Sequence, residues 1–245
     1  MKQQRGMPST HPEEHGCVEL WLFSRDLPNE NEHSQLAAYL STEERKRSAR
    51  FLDPQDRHRY IVSRGRLREI LSGYTSMPPQ LIQFRYGKHG KPYLDGYPPI
   101  FFNLSHSGHL AAVAISKQFN IGVDIERVRI VRRNLPERYF SAHEIAGLAE
   151  LQGEAWQSAF FRCWTRKEAF IKALGEGMRQ PLKSFSVTFQ DNQPARLTWM
   201  SGDAEAPNNW TFIDLLPAPG FAGAIALKTN GAAVPRLRIM GARAA

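Results

Sequence analysis

The sequence is poor in cysteine and has no long hydrophobic run. Only Cys17 and Cys163 occur among its 245 residues, so the closely spaced pairs typical of zinc sites are missing. Two isolated cysteines also argue against a disulfide-stabilised scaffold and are typical of the reducing cytoplasm. No stretch of about 18 apolar residues is present, so we predict no membrane-spanning helix. Residues 1–16 lack the apolar segment of a signal peptide.

Acidic residues are outnumbered by basic ones. The chain has 32 Lys and Arg residues against 24 Asp and Glu residues, a net charge of +8. This balance predicts an anionic partner: a nucleic acid, a membrane surface, a phosphorylated ligand or an acidic protein. With 42% hydrophobic and 23% charged residues, the composition is that of a folded globular protein.

The pattern of helices and strands predicts two similar α/β halves. Residues 17–118 and 119–230 each contain a helix-capping box, Ser-x-x-Glu, at Ser41 and at Ser141. In each half a short helix, a long helix and several strands follow, which indicates an α/β (α+β) fold with a ligand site between the halves. We predict a loose leader over residues 1–16 and a basic tail over residues 231–245.

The predicted elements follow hydrophobic periodicity and capping signals. Helices are predicted at 34–40, directly after Ser41, at 55–72 with a stop at Gly73, at 142–152 and at 155–174. Strands are predicted near 17–23, 81–86, 100–104, 109–116, 121–126, 185–189, 195–200, 210–215 and 221–227.

Two carboxylates interrupt the apolar strand "IGVDIERV" (121–128). Asp124 and Glu126 are two residues apart, so they share one face of the strand. Side by side near a core they would repel each other and lose solvent. One interpretation is an exposed strand end that pairs with Arg127 or Arg129. The other is a metal site, in which the ion offsets the repulsion.

A third carboxylate lies in the helix "FFRCWTRKEAFIKALGEGM". Glu168 and Lys172 are four residues apart and therefore neighbours on one helix face. They form either a surface ion pair or part of a site. In the second case Glu168 joins Asp124 and Glu126 in a set of oxygen ligands that suits Mg²⁺, and Lys172 faces a phosphate.

Two further stretches carry polar residues in turns. "FFNLSHSGH" (101–109) places Asn103, Ser105 and His106 at a predicted strand end. Adjacent strand residues diverge, which disfavours a serine nucleophile with a histidine base; phosphate binding and a plain turn remain. "YGKHGKPYL" (86–94) offers Lys88 and Lys91 for phosphate without the spacing of a Walker loop, and an ordinary loop is the alternative.

Four stretches together resemble one family. They are "GKP" (90–92), "FNLSHSG" (102–108), "GVDIE" (122–126) and "WTRKEAFIKALGEG" (164–177). In this order they are similar to Sfp-type 4′-phosphopantetheinyl transferases, over about residues 20–189. The resemblance implies a pseudo-dimer of two α/β halves with coenzyme A in the cleft between them.

The resemblance also implies site residues. Mg²⁺ is expected on Asp124, Glu126 and Glu168, and Asp124, His106, Glu168 and Lys172 form the expected catalytic set. The expected coenzyme A contacts are Arg47, His58, Lys88, Lys91, Asn103, Ser105, His106, Asp124 and Lys172, with Arg47 and His58 at the 3′-phosphate. Glu44 stands where some relatives have a phosphate-binding lysine, and Arg45 or Arg47 is the expected substitute.

The implied reaction transfers 4′-phosphopantetheine from coenzyme A to a serine of an acyl or peptidyl carrier protein. Glu168 is the expected base and Lys172 stabilises the leaving phosphate. We expect a cytoplasmic monomer that binds neither nucleic acid nor membrane. The alternatives are a Mg²⁺-dependent phosphodiesterase or nuclease and a non-catalytic binding module. For Glu144, a capping role and a secondary site role both remain open.

Overall fold

The structure, a computed structural model, describes residues 16–26, 29–177 and 180–243, and the predicted mixed α/β fold is confirmed. The strands are β1 (Cys17–Ser24), β2 (Phe84–Tyr86), β3 (Pro92–Leu94), β4 (Phe101–Ser107), β5 (Leu110–Ser116), β6 (Ile121–Arg127), β7 (Phe185–Val187), β8 (Leu197–Met200), β9 (Trp210–Leu215), β10 (Phe221–Lys228) and β11 (Arg236–Arg243). The helices are α1 (Glu30–Tyr39), α2 (Thr42–Ser48), α3 (Pro54–Thr75), α4 (Pro136–Tyr139), α5 (Ala142–Ala149), α6 (Gly153–Leu174) and α7 (Ala206–Asn209).

The first sheet has the strand order β11-β1-β5-β4. Strands β1, β5 and β4 pair antiparallel, whereas β11 runs parallel to β1. On one face, Leu67 and Leu71 of α3 pack against Phe102 and Val113 in a buried cluster. This burial of apolar side chains holds the long helix on its sheet.

The second sheet has the order β6-β10-β9 and is covered by α6. Helix and sheet approach closely at Gly122: a Cβ atom there would lie 2.1 Å from the carbonyl oxygen of Ala169. Only glycine permits this contact. The close packing brings the last turns of α6, with Glu168 and Lys172, against β6.

Strands β4 and β6 belong to different sheets, and polar side chains of β4 join them. Every second residue of β4 accepts a hydrogen bond from a backbone N–H group of β6. The three bonds run from Val123 to Asn103 Oδ1 (2.9 Å), from Ile125 to Ser105 Oγ (3.2 Å) and from Arg127 to Ser107 Oγ (3.1 Å). We call these three bonds the β4 ladder.

The C-terminal segment differs from the predicted basic tail. Residues 236–243 form β11, whose first N–H group donates to Gly16 O at 3.0 Å. Leu237 packs against the cluster between the sheets, so its apolar side chain favours docking over a free tail. Of the predicted leader, residues 1–15 lie outside the described residues.

Several boundaries also differ. Helix α3 continues past Gly73 to Thr75 and ends at Ser76, which takes a left-handed conformation with φ 55°. Strand β4 extends to Ser107, and the strand predicted at 81–86 begins only at Phe84, after a 3-10 turn. Both predicted capping boxes are confirmed.

Candidate active site

Asp124 is the most buried carboxylate of its motif, with 5% of its surface exposed. Its Oδ1 atom accepts hydrogen bonds from Ser105 Oγ at 2.9 Å and from Lys172 Nζ at 2.6 Å. Its Oδ2 atom is buried without a hydrogen-bond partner among the described residues. Burial raises the pKa of Asp124, and the Lys172 ammonium opposes that rise. One buried oxygen therefore keeps its lone pairs for a ligand.

Glu126 and Glu168 lie beside Asp124. Glu126 accepts hydrogen bonds from Ser107 Oγ at 2.7 Å and from Arg129 at 3.2 Å, so the pairing with Arg129 considered above is present. Burial raises the pKa of Glu168, and the negative charges of Asp124 and Glu126 add to the rise. The three carboxylates are therefore electrostatic neighbours.

These three side chains, here called the acidic group, fit a divalent cation in ligand type. Mg²⁺ prefers hard oxygen ligands, and Asp124 Oδ2 is a buried oxygen for which the described part of the chain provides no hydrogen-bond donor. Within the described residues, however, no three Asp, Glu, His or Cys side chains converge closely enough to hold a metal ion. The acidic group thus matches a cation in chemistry and charge, and its side chains must rearrange to surround one.

Lys172 connects the acidic group to β4. Its ammonium donates hydrogen bonds to Asp124 Oδ1, to Ser105 Oγ at 3.0 Å and to Val123 O at 3.2 Å. Its ion pair is with Asp124 on the facing strand, rather than the surface pair with Glu168 that the spacing of four suggested. Helix α6 therefore places the Lys172 ammonium in direct contact with the Asp124 carboxylate of β6.

Lys91 lies where α6 ends and β6 begins. Its ammonium donates to Ile121 O at 2.9 Å and to Ala173 O at 3.0 Å, and burial lowers its pKa to about 8. Gly175 makes room for the Lys91 side chain, since a Cβ atom there would lie 3.1 Å from Lys91 Cδ. Lys88 is exposed in the turn before it.

An open cleft of about 1530 Å³ borders α2, α3, β2 and β4. Its wall is strongly basic. The cations that line it are Arg25, Arg45, Lys46, Arg47, Arg50, Arg64 and Arg68. His106 also lines the cleft, whereas Ser105 on its other side contacts Asp124. Adjacent strand residues point to opposite faces, so β4 separates the basic cleft from the acidic group.

His106 keeps part of its surface open to the cleft. Loss of solvent on its other sides, and then the positive charges of Arg25 and Lys172, lower the pKa of His106 to about 4. The imidazole is therefore neutral at neutral pH. The positive charge of the cleft therefore comes from arginine and lysine.

The predicted 3′-phosphate residues are placed apart. Arg47 lines the cleft with its guanidinium 5.6 Å from the centre of the Tyr60 ring. His58 faces α1 and stacks on His33, with the ring centres 4.5 Å apart. Glu44 closes its capping box and forms ion pairs with Arg64 and Arg68. The structure thus brings Arg47 to the cleft but not His58.

Three residues of the site were not identified from the sequence. Arg25 follows β1, is buried at 8% exposure and donates to Ser63 Oγ and Gly108 O from the cleft wall. Arg64 pairs with Glu44 in the cleft wall, and nothing in its sequence spacing distinguishes it from the other arginines of α3. Ser107 had a usable signal, because Ser105 and Ser107 repeat the spacing of two that separates Asp124 from Glu126.

Comparison with known proteins identifies the family. A model of the 4′-phosphopantetheinyl transferase superfamily matches residues 120–226, and a model of the N-terminal part of 4′-phosphopantetheinyl transferases matches residues 24–118. The 4′-phosphopantetheinyl transferase HetI of Nostoc sp. is 36% identical over 219 residues, covering 87% of this chain and 89% of the relative. Sfp of Bacillus subtilis is 32% identical over 178 residues, covering 72% and 79%.

The chain belongs to the 4′-phosphopantetheinyl transferase superfamily. The resemblance noted from the four motifs is thereby confirmed. The superfamily model spans the acidic group and Lys172, and the N-terminal model spans the basic cleft. Strand β11 lies outside both matched regions. In the described part of this transferase, no helix is both long and apolar enough for a membrane span.

Proposed function

We propose that the protein transfers the 4′-phosphopantetheine group of coenzyme A to a serine of an acyl or peptidyl carrier protein and releases adenosine 3′,5′-bisphosphate. The observation that carries the proposal is the buried Oδ2 of Asp124, which has no hydrogen-bond partner within the described ranges. It lies beside two further carboxylates and directly behind a basic cleft. Cationic and acidic groups on the two sides of β4 suit a cofactor whose phosphates need both arginines and a metal ion.

Coenzyme A carries its negative charge on a diphosphate and a 3′-phosphate. We assign the 3′-phosphate to the arginine-rich end of the cleft, with Arg47 and Arg25 as the cations that face it. Arginine suits phosphate because its planar fork donates several hydrogen bonds. The diphosphate is assigned outside the cleft, next to Lys172 and the acidic group, with Lys91, Lys88 and His106 as further contacts. A contact with His58 requires that ring to leave His33, so His58 is the weakest member of the predicted set.

Asp124, Glu126 and Glu168 are proposed to hold Mg²⁺. When bound, the ion would polarise the diphosphate and neutralise charge on the departing group. It would also remove the repulsion that raises the pKa of Glu168. Both effects follow from placing a double positive charge among three carboxylates.

The chain's own residues then position groups and move one proton. The serine oxygen of the carrier protein attacks the phosphorus next to pantetheine. The bond from that phosphorus to the bridging oxygen breaks, and the electron pair leaves with adenosine 3′,5′-bisphosphate. Glu168 accepts the serine proton, and burial, the largest cause of its raised pKa, is unaffected by the ion and favours that role. Lys172 donates a hydrogen bond to the leaving phosphate as its charge grows.

Intact-mass spectrometry tests the reaction. An apo acyl carrier protein incubated with this protein, coenzyme A and Mg²⁺ is expected to gain one phosphopantetheine group, and EDTA is expected to abolish the gain. Asp124→Asn keeps the side-chain shape and removes the charge, and we expect it to lower the rate by about 10²–10³-fold. Full activity of a folded Asp124→Asn variant would refute the metal assignment.

The same experiment separates the alternatives. Cleavage of nucleic acid without carrier modification would support the phosphodiesterase hypothesis, and binding of coenzyme A without transfer would support a binding module.

We further propose that the protein acts as a monomer, because one chain supplies both the cleft and the acidic group. We also propose that it acts in the cytoplasm and binds no nucleic acid. Light scattering of the active protein tests the monomer.

A further inference from the structure

The β4 ladder has three similar bonds to the backbone, but only two of its members also touch a carboxylate. Ser105 Oγ donates to Asp124 Oδ1, and Ser107 Oγ donates to Glu126 Oε2. Asn103 occupies the same face and accepts the same kind of bond from Val123. Asn103 therefore shows the effect of joining the two strands alone, whereas Ser105 and Ser107 join the strands and also contact the acidic group.

The backbone bonds fix the direction of the two hydroxyl groups. A serine hydroxyl has one proton to donate and two lone pairs that accept. In each serine a β6 N–H group occupies a lone pair, from Ile125 or Arg127. The proton is then directed to the carboxylate. The carboxylate and the N–H group belong to neighbouring residues of β6. Each serine therefore fixes the carboxylate relative to the adjacent backbone of that strand.

Ser105 has no hydrogen-bonding capacity left in this arrangement. It donates to Asp124 and accepts from both Ile125 and Lys172. A phosphate oxygen would have to displace one of these partners. The contacts therefore favour a role in holding Asp124 and Lys172 over the direct phosphate contact expected from the sequence.

We infer that Ser105 and Ser107 are positioning residues, each fixing one strand carboxylate for a divalent cation. This inference rests on the proposed metal site. Each hydroxyl holds one carboxylate oxygen, and for Asp124 the other oxygen is the one that no described residue contacts with a hydrogen bond. Groups that orient metal-binding side chains commonly change metal affinity or activity about 10–100-fold when they are removed. Ser107 is the sharper case, since it has no contact with Lys172 that would complicate the result.

Binding of Mn²⁺, followed by the electron paramagnetic resonance signal of the free ion, tests the inference. The full chain is saturated with coenzyme A, and Ser107→Thr is compared with Ser107→Val. These two side chains have nearly the same shape and differ in the hydroxyl, and both are favourable in strands. We expect Ser107→Val to weaken Mn²⁺ binding about tenfold, and Ser107→Thr to bind like the wild type.

Asn103→Ala is the matched control, because it removes a ladder bond and, among the described residues, Asn103 contacts no carboxylate. Since Asn103 is also an expected coenzyme A contact, saturation of this variant with coenzyme A is verified before Mn²⁺ is added. We expect it to lower the thermal midpoint of unfolding while Mn²⁺ binding stays within about twofold of the wild type, in contrast to the loss expected for Ser107→Val. Equal Mn²⁺ affinity of the two Ser107 variants overturns the positioning role and leaves the metal site standing. Absence of Mn²⁺ binding by the wild type overturns both. Equal weakening by Asn103→Ala and Ser107→Val also overturns it, since the ladder would then act only by joining the strands.

Discussion

The two capping boxes have the same local hydrogen bonds but lie in different surroundings. In each, the serine side chain accepts from the N–H group of the glutamate, and the glutamate accepts from the N–H group of the serine. In each, the glutamate also forms an ion pair with the long helix that follows: Glu44 with α3 and Glu144 with α6.

The two glutamates differ in whether the cations paired with them have hydrogen-bond donors left for a ligand. Glu144 and Lys167 are fully buried, and the three donors of the ammonium are used by both Glu144 oxygens and by Phe185 O. Glu44 lies in the cleft wall with Arg64 and Arg68. Arg64 directs two nitrogens to Glu44 and has a third that is not engaged there. The same cap therefore closes a core in one region and borders a binding surface in the other.

This comparison decides the role of Glu144. All of its described bonds, to Ser141, Val187 and Lys167, are internal to the buried region. Glu144 is thus a capping and core residue, and none of these bonds involves the acidic group. Glu44 forms ion pairs with two arginines of the cleft wall.

The largest expected effect is on stability at Glu144. We expect Glu144→Ala to lower the free energy of unfolding by about 3–5 kcal/mol, because it leaves the Lys167 ammonium buried without a counter-charge. Urea unfolding measures the change. The double variant Glu144→Leu with Lys167→Met removes both charges and should recover part of the stability, because the buried N–H groups of Ser141 and Val187 still lose their acceptor. A loss below about 1 kcal/mol in the single variant would contradict the assigned role.

A smaller loss of stability is expected at Glu44. We expect Glu44→Ala to cost about 1–3 kcal/mol, because Arg68 keeps its bonds to Pro79 O and Ile82 O and Arg64 is partly solvated. The neighbouring Glu43 pairs on the surface with Lys46, so Glu43→Ala is the control and should leave the urea midpoint unchanged. Equal losses at Glu44 and Glu144 would remove the distinction between the regions.

The pH dependence of stability should also reveal Glu44. Burial alone would raise its pKa, but Arg64, the Ser41 N–H group and Arg68 outweigh burial and hold the pKa below the ordinary value of 4.5. A carboxylate with a lowered pKa stabilises the fold above its unfolded-state pKa, and the contribution is lost as the pH falls through the folded-state value. Unfolding curves measured from neutral pH to below 4.5 should fall less steeply for Glu44→Gln than for the wild type. Parallel curves would contradict this.

The smallest expected effect concerns the cofactor. We expect Arg64→Lys to raise KM for coenzyme A about threefold with little change in kcat, equivalent to a charge pair worth about 0.6 kcal/mol. Arg66, on the same helix, pairs with Glu32 and Glu69 and is not part of the cleft wall. Arg66→Lys is therefore the control, and an equal rise of KM in both variants would exclude a local role of Arg64.

Much of the framework was predictable because it depends on neighbours in sequence. A capping box needs residues three apart, and a strand places residues two apart on one face. Both caps, and the position of Asp124 and Glu126 on one face of β6, were therefore correctly predicted. Strand β11 was missed because its three arginines were taken for a basic tail, and its stability comes from pairing with β1, more than two hundred residues earlier. The extension of β4 to Ser107 was missed for a similar reason, since its partners lie on β5 and β6.

By itself the sequence determined the helix caps, the strand periodicity, the family and the residue types of the acidic group, because each follows from short-range spacing or from motifs. Only the tertiary structure decided that Lys172 pairs with Asp124 rather than with Glu168, that His58 faces α1, and that Ser105 and Ser107 hold the strand carboxylates. These contacts join residues far apart in the chain. Their geometry follows from how α6 packs on β6, how β6 lies along β4 and how α1 packs on α3, and no local pattern encodes that packing.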